Sequence, residues 1–354
     1  QRFYYSRRKC FQHREPACAG RHTHRNFRTI RFRNLSSIAD PNKFSDNDFS
    51  ARKFAIHCNR QRFFCYHDFV MTIPLTIIKA DGTSEIFNPE RLVTSLERSG
   101  AGEFTAKRIS KTITDTVAPG TSSREIYTRA FALLRREARP IAARYALRRA
   151  LLELGPSGHP FEDFISHLYR AEGWQVETRK VMKGKCVSHE VDFYASHPEQ
   201  NVYLAAELKY HNDPGYKTDL KVALYVKSRF DDIFACDTQL RSCPIDRGIL
   251  VTNTKFTSEA IAYAECSGVE LLGWGYPAND NLLMRMSRAK VYPITTLTGL
   301  SHAEKRLLIE NGAIAVDKIV SDRHLLDPLH LSSERVGELL AEADGLFSLP
   351  NVVT

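Results

Sequence analysis

Residues Val202 to Tyr210, VYLAAELKY, constrain the fold more than any other stretch of this chain. The run is apolar, partly β-branched and aromatic, and it stops at the turn formers Asn212, Asp213, Pro214 and Gly215, which is the pattern of a buried strand. Side chains alternate across a strand, so Glu207 and Lys209 face the same side. A carboxylate and an ammonium at the end of an apolar strand cost free energy unless they pair or bind something. Upstream, Glu190 to Tyr194 (EVDFY) reads as a second strand that brings Asp192 alongside. Further back, Gly158-His159-Pro160-Phe161-Glu162 opens a helix, with Pro160 in its first turn. Phe161, Phe164, Ile165, Leu168 and Tyr169 keep the helical spacing, and Glu162 stands at the edge of that stripe, where it can lean over the sheet.

Three carboxylates converging with one lysine form the layout needed for metal-assisted phosphodiester hydrolysis. Hard oxygen ligands hold Mg²⁺ with some of its waters, and a lysine can orient a water or neutralise charge building on phosphate. The order Glu162, Asp192, Glu207-x-Lys209 resembles the PD-(D/E)xK nuclease superfamily. The segments FEDF, EVDF and AELKY are similar to its Mrr-type restriction endonuclease branch, through about Pro277, although no proline precedes Asp192. The resemblance implies an α/β restriction-endonuclease-like core with a mixed sheet and Mg²⁺-dependent cleavage of double-stranded DNA. By the same resemblance Asp192 and Glu207 bind metal, Glu162 supports metal or water, and Lys209 positions the nucleophile. Lys217, Lys221, Lys227 and Arg229 form a basic run suited to DNA phosphates beside the cut site, a pattern that an ordinary solvated helix face also carries.

Composition helps only once it is divided. The formal charge is +9, but residues 1–70 hold 15 Lys and Arg against 5 Asp and Glu, so the remainder is close to neutral. The first seventy residues also contain ten of the twenty Phe, a single leucine, Leu35, and no sustained period. The first methionine is Met71, and a well-patterned segment follows it at once. Residues 1–70 are therefore expected to be a disordered or non-native upstream extension. A basic arm for nucleic acid is the alternative. Cys10, Cys18, His22, His24, Cys58, Cys65 and His67 permit a zinc reading, without any C-x₂₋₄-C spacing.

From Met71 the text changes character. Ile73 to Ile78, the turn Ala80-Asp81-Gly82-Thr83 and Glu85-Ile86-Phe87 read as a hairpin, with Asn88 capping a helix that begins Pro89-Glu90-Arg91-Leu92. Helices are expected at roughly 104–117, 123–138 and 140–154. IIKADGTSEIFNPERL through ARYALRRALLELGPSG resembles the ATP-cone domain of nucleotide-sensing regulators. That resemblance implies ATP or dATP as effector and nucleotide contacts at Lys79, Glu85, Asn88 and Arg91. Ala80 stands where the family usually has a second basic residue, and Arg91 where it has lysine. Eight arginines against two glutamates between Arg124 and Arg149 are a further candidate phosphate face, or a solvated helical one.

The remaining expectations complete a multidomain α+β architecture. A helical ATP-cone with its β-hairpin spans 71–157, the endonuclease core 158–279, and a small helical module 280–354. Within the core, Arg247 to Thr252 reads as a buried strand, Thr257 to Cys266 as a helix and Val269 to Gly273 as a last strand. In the last module, helices open at Ser301 and Ser332, and the text resembles a helix-hairpin-helix module without its usual paired glycines; a dimerising helical bundle is the alternative. Irregularly spaced cysteines and the lack of a membrane-length apolar run suggest a cytoplasmic protein with reduced thiols. The partners implied are double-stranded DNA, a nucleotide and a second copy of the chain. From a different functional class, the competing expectation is a non-catalytic nucleotide- and DNA-binding regulator, for which buried acids have no use.

Overall fold

The computed structural model describes residues 75–235 and 245–352, all within one compact unit, Thr72–Thr354. The expectations for residues 1–70, including the zinc reading, and those for Cys236 and Cys243 lie outside the described residues.

The first part is a small sheet with helices. Strands β1 (Thr76–Ile78) and β2 (Ser84–Ile86) form the expected hairpin. It is followed by α1 (Pro89–Arg98) and α2 (Glu103–Thr116). Asn88 caps α1, its side chain accepting from the N–H groups of Glu90 and Arg91. A two-residue strand, β3 (Thr121–Ser122), adds to β1 in parallel ahead of α3 (Ser123–Glu137). The single helix expected over 140–154 is instead two, α4 (Arg139–Tyr145) and α5 (Leu147–Leu152), divided at Ala146. The break lets the chain serve two cores: Ala142 packs with α1 to α3, whereas Ala143 and Leu147 join the C-terminal helices.

The central part carries a five-stranded sheet. Helix α6 (His159–Ala171) leads into β4 (Gln175–Lys183), β5 (Ser188–His197) and β6 (Val202–Lys209). A short strand β7 (Lys217–Thr218) precedes α7 (Leu220–Phe234), and then come β8 (Arg247–Thr252), β9 (Lys255–Phe256), α8 (Ser258–Ser267) and β10 (Glu270–Leu272). The strand order is β10-β8-β6-β5-β4, antiparallel through β4, β5 and β6 and parallel from β6 to β10, so the sheet is mixed. One face packs on α6, with Leu204, Ala206 and Leu208 against Phe161, Phe164 and Leu168. The other packs on α7 and α8, with Ala205 and Leu250 against Ala223, Val226, Phe230 and Ala260. Gly248 lets α7 approach closely, since a Cβ there would lie 2.3 Å from the Phe230 ring.

The last part is helical: α9 (Leu282–Ala289), α10 (His302–Glu310), α11 (Val316–Ser321) and α12 (Ser333–Ser348). Ser301 and Glu304 form a reciprocal cap on α10. These helices are not a detached module. Leu282 and Met286 belong to the α6 side of the sheet core, and Leu339, Ala343 and Leu346 pack with Ala143 and Leu147. Among the described residues no helix is long and apolar enough to cross a membrane.

Candidate active site

The β5–β6 ladder runs from His197↔Val202 to Phe193↔Ala206 and ends there. The next pair in that register is Asp192 opposite Glu207. Instead of a backbone rung, the Asp192 carboxylate accepts a hydrogen bond from the Leu208 N–H and fills the notch between the strands. The outer strand responds at the same level. Pairing with β4 skips from Thr178↔Phe193 to Lys180↔Val191, and Arg179, between them, has a left-handed backbone with φ 53°. Non-glycine residues adopt that conformation at a cost, which the surrounding ladder must impose.

Burial is the first cause of the raised Asp192 pKa, pushed up to about 6, followed by the charge of Glu207; the Leu208 N–H opposes both, and Glu162 adds a further push. Glu207 is itself 3% exposed. Its two oxygens are held by Lys209 Nζ at 2.6 Å and Arg229 Nη1 at 2.5 Å. The Glu207–Lys209 contact bears out the same-face reading of the strand. Glu162 lies in the first turn of α6, where burial raises its pKa while His159 and Arg179 pull it down. Gly158 abuts it, since a Cβ there would lie 3.2 Å from Glu162 Oε1. The four residues of the carboxylate–lysine set thus sense one another's charge, although they come from three elements.

Arg179 has no precedent in the sequence reading. Its guanidinium stands 3.7 Å from Glu162 Oε2 and 3.6 Å from Asp163 Oδ1. The only available signal is the alternating run Gln175 to Lys183 ahead of Gly184, whose polar residues conceal an edge strand.

The basic run divides. Arg229 is turned inward, bonded to Glu207 and to the Glu190 carbonyl, so it braces the site rather than presenting a phosphate contact. Lys227 pairs along α7 with Asp231. Lys217 and Lys221 are exposed, and Lys217 lies on β7 rather than on the helix. Beside Lys217 stands Lys255, whose pKa is lowered by burial and then by Arg148, Lys217 and Lys79. These four cations surround the loop after β6, where Arg148 donates to the Pro214 carbonyl at 2.7 Å. Tyr210 ties the same loop to α5 through its hydroxyl, 2.7 Å from the Leu152 carbonyl. Asn253 holds His211 by paired bonds to its N–H and carbonyl.

At the hairpin, Glu85 accepts Lys79 at 2.7 Å and stands 3.5 Å from Arg91, so these charges satisfy one another. The Asn88 oxygen is committed to its cap. Of the arginines between 124 and 149, Arg129, Arg139 and Arg149 are paired with Glu125, Glu338 and Glu153.

Among the described residues no three His, Cys, Asp or Glu side chains group closely enough to hold a metal alone. Magnesium does not require this, because it is commonly held by one or two carboxylates and its own waters. Burial first and the Glu207 charge second lift Asp192, and a bound cation offsets both, so the Asp192–Glu207 pair fits a hard, hydrated ion and not a closed protein cage.

Together these features define an α+β protein with a mixed sheet and a partly buried carboxylate–lysine cluster where two strands part. Residues 292–347 match the family model described as AF1548-like, C-terminal. A protein of Archaeoglobus fulgidus (strain ATCC 49558), described as uncharacterized, is 30% identical over 179 residues, covering 51% of this chain and 97% of that relative. The chain belongs to the AF1548-like family. A crystal structure titled as the protein of unknown function AF1548 matches at 28% identity and TM-score 0.43, over 54% of this chain and 98% of its own.

Proposed function

We propose that this protein is a Mg²⁺-dependent endodeoxyribonuclease of the Mrr-like restriction type, hydrolysing phosphodiester bonds in double-stranded DNA. The observation that carries the reading is Asp192, a half-buried carboxylate with a raised pKa, wedged into the end of a ladder opposite the buried Glu207 and beside Lys209. In this reading Asp192 and Glu207 hold the cation and Glu162 supports it or its water. Magnesium would supply Lewis-acid stabilisation of the phosphate and a water of lowered pKa. Lys209 leaves Glu207 to orient the attacking water or to meet charge on the phosphate. Lys217 and Lys255, both exposed and without a carboxylate in ion-pair range among the described residues, receive the DNA backbone.

The hairpin domain regulates this site, with ATP or dATP as effector at Lys79, Glu85, Asn88 and Arg91. The Tyr210–Leu152 and Arg148–Pro214 contacts provide a short physical route to Lys209. Regulation requires that nucleotide favour one of two packings over the other. One observation favours the non-catalytic regulator instead: both Glu207 oxygens are already neutralised, by Lys209 and Arg229.

Plasmid cleavage in Mg²⁺ separates the two. Asp192→Asn and Lys209→Ala should each lower the rate by at least about 100-fold, with duplex affinity kept within about threefold, as expected for groups that do not hold the backbone. A wild-type protein that binds duplex but leaves it intact in Mg²⁺ supports the regulator. A Lys209→Ala protein that cuts at the wild-type rate removes β6 from the site.

A further inference from the structure

A second site is marked by a buried cation that lacks an anion. Arg144, near the end of α4, is 3% exposed. Its Nη1 donates to the Pro350 carbonyl at 2.5 Å, while Nε and Nη2 are buried without a hydrogen-bond partner. Lys290 lies close enough that burial first, and then the Arg144 charge, lower its pKa; its ammonium is tied to the Leu349 carbonyl at 2.6 Å. Among the described residues no carboxylate reaches ion-pair distance of either cation. The buried Arg144 has only a carbonyl partner, and its nearest neighbour in charge, the half-exposed Lys290, is a second cation, a costly arrangement unless an anion is bound.

Arg144 also lines a cavity of about 520 Å³ between α1, α4 and the residue after β10–Gly273, Trp274. Arg91 and Arg98 of α1 stand at its exposed side, with Ser95 between them and Tyr145 beside Arg144. A buried guanidinium, two exposed ones and a hydroxyl, with Glu90 as the one carboxylate among the lining residues, are the donors that a phosphate group takes, Arg being able to offer paired N–H groups to one anion. The volume suits a ligand larger than a free ion, and Tyr145 and Trp274 supply flat apolar walls.

We propose that this cavity binds a small phosphate-bearing molecule with a planar ring, and that Arg144 is its anchoring cation. The site is separate from the carboxylate cluster. It shares Arg91 with the hairpin, where that residue stands 3.5 Å from Glu85, but Lys79 and Asn88 do not line it.

The test uses the full chain, with inorganic pyrophosphate and ATP as probes in calorimetry and in thermal melting, and Trp fluorescence as a local signal. Both probes should bind the wild type and raise its melting temperature, ATP more tightly. Arg144→Met, which keeps the volume and removes the buried charge, should fold as judged by circular dichroism and weaken both probes at least tenfold. Should that variant not fold, Arg98→Ala, on the exposed side, should still weaken ATP by threefold or more. An Arg144→Met protein with wild-type affinity overturns the proposal, as does a wild type whose melting is unmoved by millimolar pyrophosphate or ATP. Loss of duplex DNA binding in Arg144→Met, with no small-molecule binding by the wild type, would assign the cavity to a DNA surface and overturn it too.

Discussion

The carboxylate cluster and the hairpin carry charged residues at comparable spacing, yet they treat charge in opposite ways. At the hairpin, Lys79 and Arg91 flank Glu85, and Asn88 closes the first turn of α1. Every one of these groups is at or near the surface and has a local partner. Where the β5–β6 ladder ends, the half-buried Asp192 and the buried Glu207 are set against each other, with Lys209 and Arg229 brought in to hold the second. A stretch of polar residues can be explained by capping and surface ion pairs, which contribute little beyond local order. Paired acids inside a sheet have no such explanation, so burial and repulsion distinguish a site from a pattern.

The largest way to break the comparison is through Arg229. Arg229→Ala leaves Glu207 with one cation instead of two in a buried position, and should destabilise the fold by about 3 kcal/mol. Lys227→Ala, two residues earlier on α7, removes only an i,i+4 pair with the exposed Asp231 and should cost no more than about 0.5 kcal/mol. Urea denaturation of both variants checks the ratio. Equal losses would mean that Glu207 is hydrated through the α7 side, and that its burial is not the distinguishing feature.

This difference between Arg229 and Lys227 also shows what a sequence can and cannot disclose. The β6 strand is legible because Val202 to Leu208 are apolar up to one charged pair, and Thr257 to Cys266 because a hydroxyl cap precedes the helical run. Asp192 is legible as part of a strand, and the mixed sheet follows from strands interleaved with helices. Strand β4 is not marked, because Glu177, Arg179, Lys180 and Lys183 break any apolar alternation on an edge. The left-handed Arg179 has no local signature at all; it falls opposite Asp192, at the rung missing between Thr178↔Phe193 and Lys180↔Val191. Nor does the basic run reveal which of its members face inward. Arg229 meets Glu207 because α7 crosses that face of the sheet, at close range over Gly248.

A smaller effect sharpens the contrast through pH. Below about pH 4, Asp192 is protonated in both the folded and the unfolded chain. Between that range and about 6, the unfolded chain loses its proton while the fold keeps it, so this group's contribution to stability falls as pH rises. Above about 6 the cost is fully present. Asp192→Asn, which can still accept from Leu208, should therefore match the wild type near pH 4 and exceed it by roughly 1–2 kcal/mol at pH 7.5. Millimolar Mg²⁺ should narrow that gap by stabilising the wild type alone. Thermal melts across pH 4 to 8, with and without Mg²⁺, read both effects; a gap that does not grow with pH would mean Asp192 is better hydrated than its position in the notch implies.

The smallest expected effect falls at the hairpin, and it decides what Asn88 does there. Its Oδ1 accepts from Glu90 at 2.9 Å and Arg91 at 3.3 Å, two of the N–H groups that a helix start leaves without partners. Asn88→Ala should cost about 1 kcal/mol, the usual penalty for a lost cap, and Asn88→Ser or Asn88→Asp should recover most of it because both keep an acceptor at the same position. If Asn88 is chiefly a nucleotide contact, the ranking changes. Serine would restore stability but not ATP affinity, and the loss in affinity would exceed what one frayed turn of α1 produces. Denaturation and ATP calorimetry on the same three variants give the two rankings side by side. Parallel rankings make Asn88 a cap whose effect on nucleotide passes through α1, whereas divergent ones make the hairpin a ligand site despite its satisfied charges.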